Sequence, residues 1–152
     1  MRRSDREITQ QERIETIIRQ CKVCRLGFVD NNSAYIVPMN FGYQDNGLDF
    51  HSGGEGRKVD LLKKSPDVCF EMDRIIRMIT SKDACEWGVE YESVIGTGKA
   101  LIIEALDEKK QALNFIMAQY SKKAYDFNPE SLEKTLVFKV TIKEMTGKSN
   151  ID

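Results

Sequence analysis

The run His51-Ser52-Gly53-Gly54-Glu55-Gly56-Arg57-Lys58 gathers more chemistry-bearing residues than any other stretch of the chain. Glycines let a backbone turn toward a ligand without side-chain clash, and the helix expected after them presents unpaired amide donors. Arg57 and Lys58 place two positive charges in the first turn of that helix, where they oppose the macrodipole; a bound dianion would reverse this local cost. The segment therefore reads as a phosphate cradle. Its spacing matches neither a Walker A loop nor a GxGxxG fingerprint, so a nucleotide triphosphatase is not expected. The alternative reading of the same residues is a flexible hairpin exit followed by a solvated helix face.

His51 is the sole histidine, so proton transfer by imidazole near neutral pH must use it; a hydrogen-bonded structural role is the alternative. No Ser, His and Asp arrangement follows from the spacing, and hydrolase triads have no support. Cys21-Lys22-Val23-Cys24 falls at a helix-to-strand junction, whereas a redox pair of this spacing follows a strand and opens a helix. Further ligands would have to come from His51, Cys69 and Cys85, which lack paired spacing, so no metal is expected and buried free cysteines are. Trp87 and Tyr91 are expected to pack in a core or interface, or to cover a flat aromatic cofactor from a second subunit.

The elements that must position these groups belong to one domain spanning residues 1–152. The chain is 41% hydrophobic and 31% charged, with 3 Pro and 10 Gly, a globular composition that excludes collagen, low complexity and extended disorder. With 23 basic and 24 acidic residues spread along the sequence, no net basic face is available for duplex nucleic acid. Asp5 and Glu7 interrupt the region where a signal peptide would need its apolar core, and no apolar run approaches a membrane span. A soluble, cytoplasmic protein without membrane or nucleic-acid partners is expected.

Ile14, Ile17, Ile18 and Cys21 follow one helical face and predict a helix over 10–20, with Thr9 and Glu12 as a capping box. A buried strand over 23–29 is ended by Asp30, Asn31, Asn32 and Ser33, and a strand follows over 34–43. Pro38 cannot donate to a ladder, so that strand should be broken, bulged or at an edge. Asp45-Asn46-Gly47 makes a second hairpin turn before a strand over 48–51. A short helix ends at Pro66, and strands are expected over 68–72 and 94–103, the latter bent at Gly96 and Gly98. Residues 73–92 show no readable pattern. Leu113, Ile116, Met117 and Tyr120 predict the longest helix over 108–121, and alternation over 136–143 predicts the last strand, with no argument for order after Gly147. Five or six strands joined by hairpins, with a few helices, predict a mainly β architecture: an antiparallel barrel with flanking helices.

The runs MRRSDREI, CKVCRLGFVD, AYIVPMNFGY, DFHSGGEGRKVDLLKK and SVIGTGKALII, in that order, closely resemble the pyridoxamine 5′-phosphate oxidase-like flavoproteins, and within them the nitroimidazole-resistance branch. The resemblance spans roughly residues 1–103. It implies an antiparallel split β-barrel that forms a homodimer and binds FMN in two clefts at the subunit interface. It also implies that the backbone of Val37, Pro38, Met39 and Asn40 runs beside the flavin ring and that Ser52, Arg57 and Lys58 hold the phosphate. His51 matches a histidine beside the flavin, Ser93 stands where oxidase relatives carry a ring-touching glutamine, and Trp87 is the candidate aromatic from the partner chain. Ser93, with the lack of an evident C-terminal Arg and His pattern, argues against pyridoxamine phosphate oxidation.

The function so implied is an FMN-dependent oxidoreductase in which reduced flavin passes electrons to a small nitroaromatic or related acceptor, with His51 as the catalytic residue assisting protonation. A non-catalytic flavin-binding or redox-sensing dimer is the alternative. A thiol or metal protein built on Cys21 and Cys24 is a third reading and predicts activity without flavin.

Overall fold

Two hairpins start the architecture, and their turns are dictated by residue type. Asn31 and Asn32 adopt φ of 47° and 69°, and Asp45 and Asn46 adopt 49° and 55°. These are the positive angles that tight two-residue hairpin loops require and that Asn and Asp tolerate. The computed structural model describes residues 3–151; Met1 and Arg2 of the N-terminal run lie outside them, as does Asp152. The elements are β1 (Glu7–Ile8), α1 (Gln11–Gln20), β2 (Cys24–Asp30), β3 (Ser33–Met39), β4 (Gly42–Gln44), β5 (Gly47–Gly53), α2 (Arg57–Lys64), β6 (Asp67–Ile79), β7 (Gly88–Ile103), α3 (Leu106–Ala118), α4 (Pro129–Lys134) and β8 (Thr135–Ser149).

The strands form one antiparallel sheet in the order β3-β2-β6-β7-β8-β5-β4, with β1 added beside β8. β3 and β4 end the order without pairing to each other, so the rolled sheet is a split barrel. Its interior holds Leu26, Phe28, Leu48, Phe50, Phe70, Met72, Val94 and Phe138. The stripe Ile14, Ile17 and Ile18 of α1 closes onto that core. A second, smaller core lies on the opposite face of β8, where Val137 meets Ala112, Leu113 and Ile116 of α3 and Leu132 of α4.

The structure departs from several of these expectations. The barrel has eight strands rather than five or six. The capping box at Thr9 and Glu12 is not made; Gln10 is the N-cap and no side chain caps it. Residues 73–92 are not irregular but form the distal part of β6, a turn and the start of β7, paired from Asp73↔Ser93 to Ile79↔Gly88. A register shift between Ile75 and Arg77 explains why no alternation was visible, since an extra residue flips every following side chain. Residues 148–150 are also ordered: β8 runs to Ser149, and Asn150 accepts a hydrogen bond from the Tyr91 amide at 2.7 Å. Pro38 sits on edge strand β3, as its missing donor demands, and the ladder breaks at Asn40 before β4. The bend expected at Gly96 and Gly98 coincides with a β7–β8 register shift at Thr97 and Gly98, and a Cβ on Gly96 would strike the Phe70 ring.

Candidate functional site

The start of α2 is built for an external acceptor of hydrogen bonds. Gly56 is its N-cap at φ 110°, a left-handed angle that favours glycine, and no side chain caps the helix. The Val59 and Asp60 amides bond back to the Gly56 carbonyl, which leaves the Arg57 and Lys58 amides without an intrahelical partner. A Cβ at Gly53 or Gly56 would meet nothing within 4 Å, so the approach to these amides is open.

Arg57 and Lys58 are adjacent in sequence but diverge in space, because successive helical side chains point about 100° apart. Arg57 reaches the β2–β3 hairpin, where it pairs with Asp30 at 2.8 Å and stacks over the Tyr35 ring at 4.4 Å. Lys58 turns the other way, toward His51 of β5. Burial lowers the Lys58 pKa, and the His51 pKa is lowered by burial first and by the nearby Lys58 charge second. Among the described residues Lys58 has no carboxylate partner, and the His51 ring makes no hydrogen bond. α2 thus spans from β5 to the edge of β3, across the mouth of the split barrel.

Alternation along β5 separates the two neighbours His51 and Ser52. Leu48 and Phe50 point into the barrel, whereas Asp49 and His51 share the face that α3 covers. His51 lines a cavity of about 360 Å³ with Leu113, Ile116 and Met117 of α3, Phe127, and Leu132 of α4. Ser52 takes the opposite face and donates to the Gly53 carbonyl at 2.8 Å.

The remaining residues singled out in the sequence lie elsewhere. Val37, Pro38 and Met39 form the end of edge strand β3, and Asn40 follows it. Pro38 pairs with Arg25, whose guanidinium holds Glu71 at 2.9 Å and Asp73 at 2.5 Å; Asp73 in turn pairs with Ser93. Ser93 therefore shares a row with the end of β3, roughly 15 Å across three strand spacings. It is remote from His51 of the same chain. His51 pairs with Val137 and Ser93 with Lys148, positions separated by roughly 35 Å of extended strand. Trp87 lies beyond the start of β7, 54% exposed, its indole donating to the Ser81 carbonyl at 2.7 Å. One chain cannot bring Trp87 to His51.

Three groups escaped the sequence reading. Asp30 was read only as a turn residue. Asp49 is buried with one carboxylate oxygen lacking a partner, and burial pushes its pKa up to about 6 against the attraction of Lys139. Glu92 is fully buried between Arg13 and Arg74, the latter at 2.8 Å. Asp30 and Glu92 are held by long-range pairings and Asp49 is set apart by burial, none of which local spacing encodes. Cys21 and Cys24 are buried free thiols; burial pushes Cys21 up to about 11 and Cys24 higher still, so neither is a ready nucleophile at neutral pH.

The fold is a split barrel in which a glycine-rich turn opens a basic, uncapped helix. The family model for pyridoxamine 5′-phosphate oxidase matches residues 10–149, and the chain belongs to that family. Among solved structures it is similar to a candidate 5-nitroimidazole antibiotic resistance protein from Bacteroides thetaiotaomicron, at 35% identity and a TM-score of 0.85, over 94% of this chain and 86% of that one. The fold is shared with the flavocytochrome Anf3 from Azotobacter vinelandii, at 18% identity and a TM-score of 0.85 over 100% of this chain and 72% of that one. It is shared also with an FAD and heme binding protein from Mycobacterium smegmatis, at 16% identity and a TM-score of 0.85 over 95% and 73%. No curated protein matches the chain. Among the described residues, no helix is long and apolar enough to cross a membrane.

Proposed function

We propose that the chain is an FMN-dependent oxidoreductase that works as a homodimer and reduces a small nitroaromatic of the nitroimidazole type. The observation that carries this reading is the open start of α2, where two amides are free and the unpaired Lys58 lies near enough to His51 to disfavour its protonation. That donor set fits a phosphate dianion: the amides and Lys58 are uncommitted, and Arg57 stands next to them. A phosphate would compete with Asp30 for Arg57, so the cradle would be shared rather than wholly vacant. The likeness to the Bacteroides thetaiotaomicron protein supports the choice of acceptor.

FMN, when bound, would supply the electrons. Ser52, Arg57 and Lys58 would hold its phosphate, and the edge-strand backbone of Val37, Pro38, Met39 and Asn40 would lie beside its ring. The lowered His51 pKa disfavours the imidazolium, so the neutral ring would assist by donating an N–H hydrogen bond to the acceptor, whose protons would come from solvent. The separation of Ser93 and Trp87 from His51 favours a dimer in which these residues belong to the partner's site. Exposed apolar side chains on the β6–β7 hairpin, Ile75 at 64%, Met78 at 52% and Trp87 at 54%, supply a surface for that association.

The test is an absorbance spectrum of purified protein before and after addition of FMN, with mass spectrometry of whatever denaturation releases. Stoichiometric flavin uptake, a dimer in sedimentation, and anaerobic turnover of a nitroaromatic that His51→Ala reduces without loss of flavin are expected. No uptake after FMN addition overturns the reading, and uptake without turnover makes the protein a flavin binder.

A further inference from the structure

We propose that Tyr120 is a positioning residue for the flavin: its hydroxyl orients the Asn40–Phe41 peptide so that the Asn40 carbonyl is offered to the imide N–H of the ring. The proposal rests on the function above for the presence of the ring beside this backbone, and on the structure alone for the hold of the hydroxyl on the peptide.

The hydroxyl occupies the place of a ladder bond. β2 and β3 pair as far as Cys24↔Met39, and two residues further on the same register sets Phe41 opposite Lys22. Among the described residues these two share no direct backbone bond. Instead the Phe41 amide donates to the Tyr120 hydroxyl at 3.0 Å, and the hydroxyl donates to the Lys22 carbonyl at 2.9 Å. One oxygen accepts from one segment and gives its single proton to the other, so it holds them apart and leaves neither group unpaired. β4 begins only at Gly42, and Asn40 and Phe41 therefore belong to no ladder.

A peptide unit is planar and trans, so its carbonyl and amide point in opposite directions. With the Phe41 amide turned toward Lys22, the Asn40 carbonyl faces away from β2, on the open side of edge strand β3. Among the described residues no backbone amide reaches that carbonyl. The wholly buried Phe41 ring fixes where the residue lies; the hydroxyl fixes how its peptide plane is turned.

Tyr120 is itself held. It follows Gln119, the residue that ends α3, whose side-chain amide donates to the Ile18 and Cys21 carbonyls at 2.9 Å each, at the end of α1. The Lys22 ammonium donates to the Gln119 carbonyl at 2.9 Å and lies 5.6 Å from the Tyr120 ring centroid. α3 also crosses β4 so closely that a Cβ on Gly42 would stand 2.5 Å from the Ile116 nitrogen. The hydroxyl thus comes from a helix end already tied to α1 and β4, with little freedom left to lose when a ligand binds.

The experiment compares FMN with riboflavin, which carries the same ring without the phosphate. Tyr120→Phe removes one oxygen and keeps the aromatic ring. It should weaken both flavins by the same factor, about fivefold for one lost hydrogen bond, and alter the visible absorption of bound FMN. If that variant fails to fold, the unaltered protein gives the answer: the Phe41 amide nitrogen resonance, which reports on the carbonyl before it, should move on saturation with riboflavin. A folded Tyr120→Phe protein with unchanged flavin affinity and spectrum overturns the proposal, even if its thermal midpoint falls. Weakened FMN with riboflavin unaffected also overturns it, since the effect would then lie at the phosphate. Uptake of flavin with an unmoved Phe41 resonance overturns this role alone, whereas uptake of neither flavin by the unaltered protein overturns the proposed function and this role with it.

Discussion

Glu92 and Lys58 are charged residues at opposite ends of the barrel, and the chain treats them differently. Glu92 is wholly buried, yet Arg13 from α1 and Arg74 from β6 meet its two oxygens. Lys58 is half-buried with no carboxylate opposite, beside a histidine whose protonation it disfavours. The first cluster is closed and ties α1 to the long β6–β7 hairpin. The second is open, and its cost in the free protein would be relieved by an anion from outside. Charge neutralised within the chain thus marks architecture here, and charge left over marks the candidate site.

The strongest way to break this contrast is at the open end. Arg57→Ala with Lys58→Ala should weaken FMN binding by about 10²- to 10⁴-fold, taking roughly 1.5–3 kcal/mol for each charge-assisted contact. The thermal midpoint of the flavin-free protein should barely change, since the Arg57–Asp30 pair is largely solvent-exposed. Undiminished affinity in a fluorescence titration would place the phosphate elsewhere.

At the closed end the effects should be reversed. Arg13→Met with Arg74→Met strands a buried carboxylate and should cost about 3–5 kcal/mol in urea unfolding, with FMN affinity of the folded fraction unchanged. A loss below about 1 kcal/mol would mean that Glu92 is not held as a buried ion.

Asp49 sharpens the comparison, being a buried acid that neither end neutralises. Its pKa is raised from 3.8 to about 6, so the folded state binds its proton more tightly than the unfolded state does. The contribution is favourable below about pH 4 and is lost as pH rises to 6. Asp49→Asn should therefore stabilise the protein by about 1–3 kcal/mol at pH 7 and by almost nothing at pH 3, as read from thermal midpoints across pH. Equal effects at both pH values would show that the carboxyl is not protonated by the fold.

The legible parts of the molecule were those set by local chemistry. The stripe Ile14, Ile17 and Ile18, the alternation from Leu136 to Ile142, and the Asn and Asp turns each fix an element from a handful of neighbours. The glycine-rich run and its two basic residues were legible as a helix start for the same reason. What stayed hidden was long-range or irregular. Ile75 and Arg77 straddle a bulge at Ile76 that scrambles the alternation of the hairpin arm. The Asp30 contact that divides Arg57 from Lys58 joins positions on different elements, and no spacing rule connects them. Ser93 and Trp87 lie apart from His51 within one chain, and Trp87 was expected in the site only from the partner subunit.

The position of β8 has a consequence for how the chain acquires its shape during synthesis. It is the last strand in sequence, yet it sits between β7 and β5 in the sheet and also carries β1. At roughly 5–20 residues per second, the hairpin of β4 and β5 waits several seconds on the ribosome before its neighbour is made. Until then Leu48 and Phe50 have no sheet to enter, and the nascent chain exposes an unpaired strand edge that a chaperone or a second nascent copy can bind.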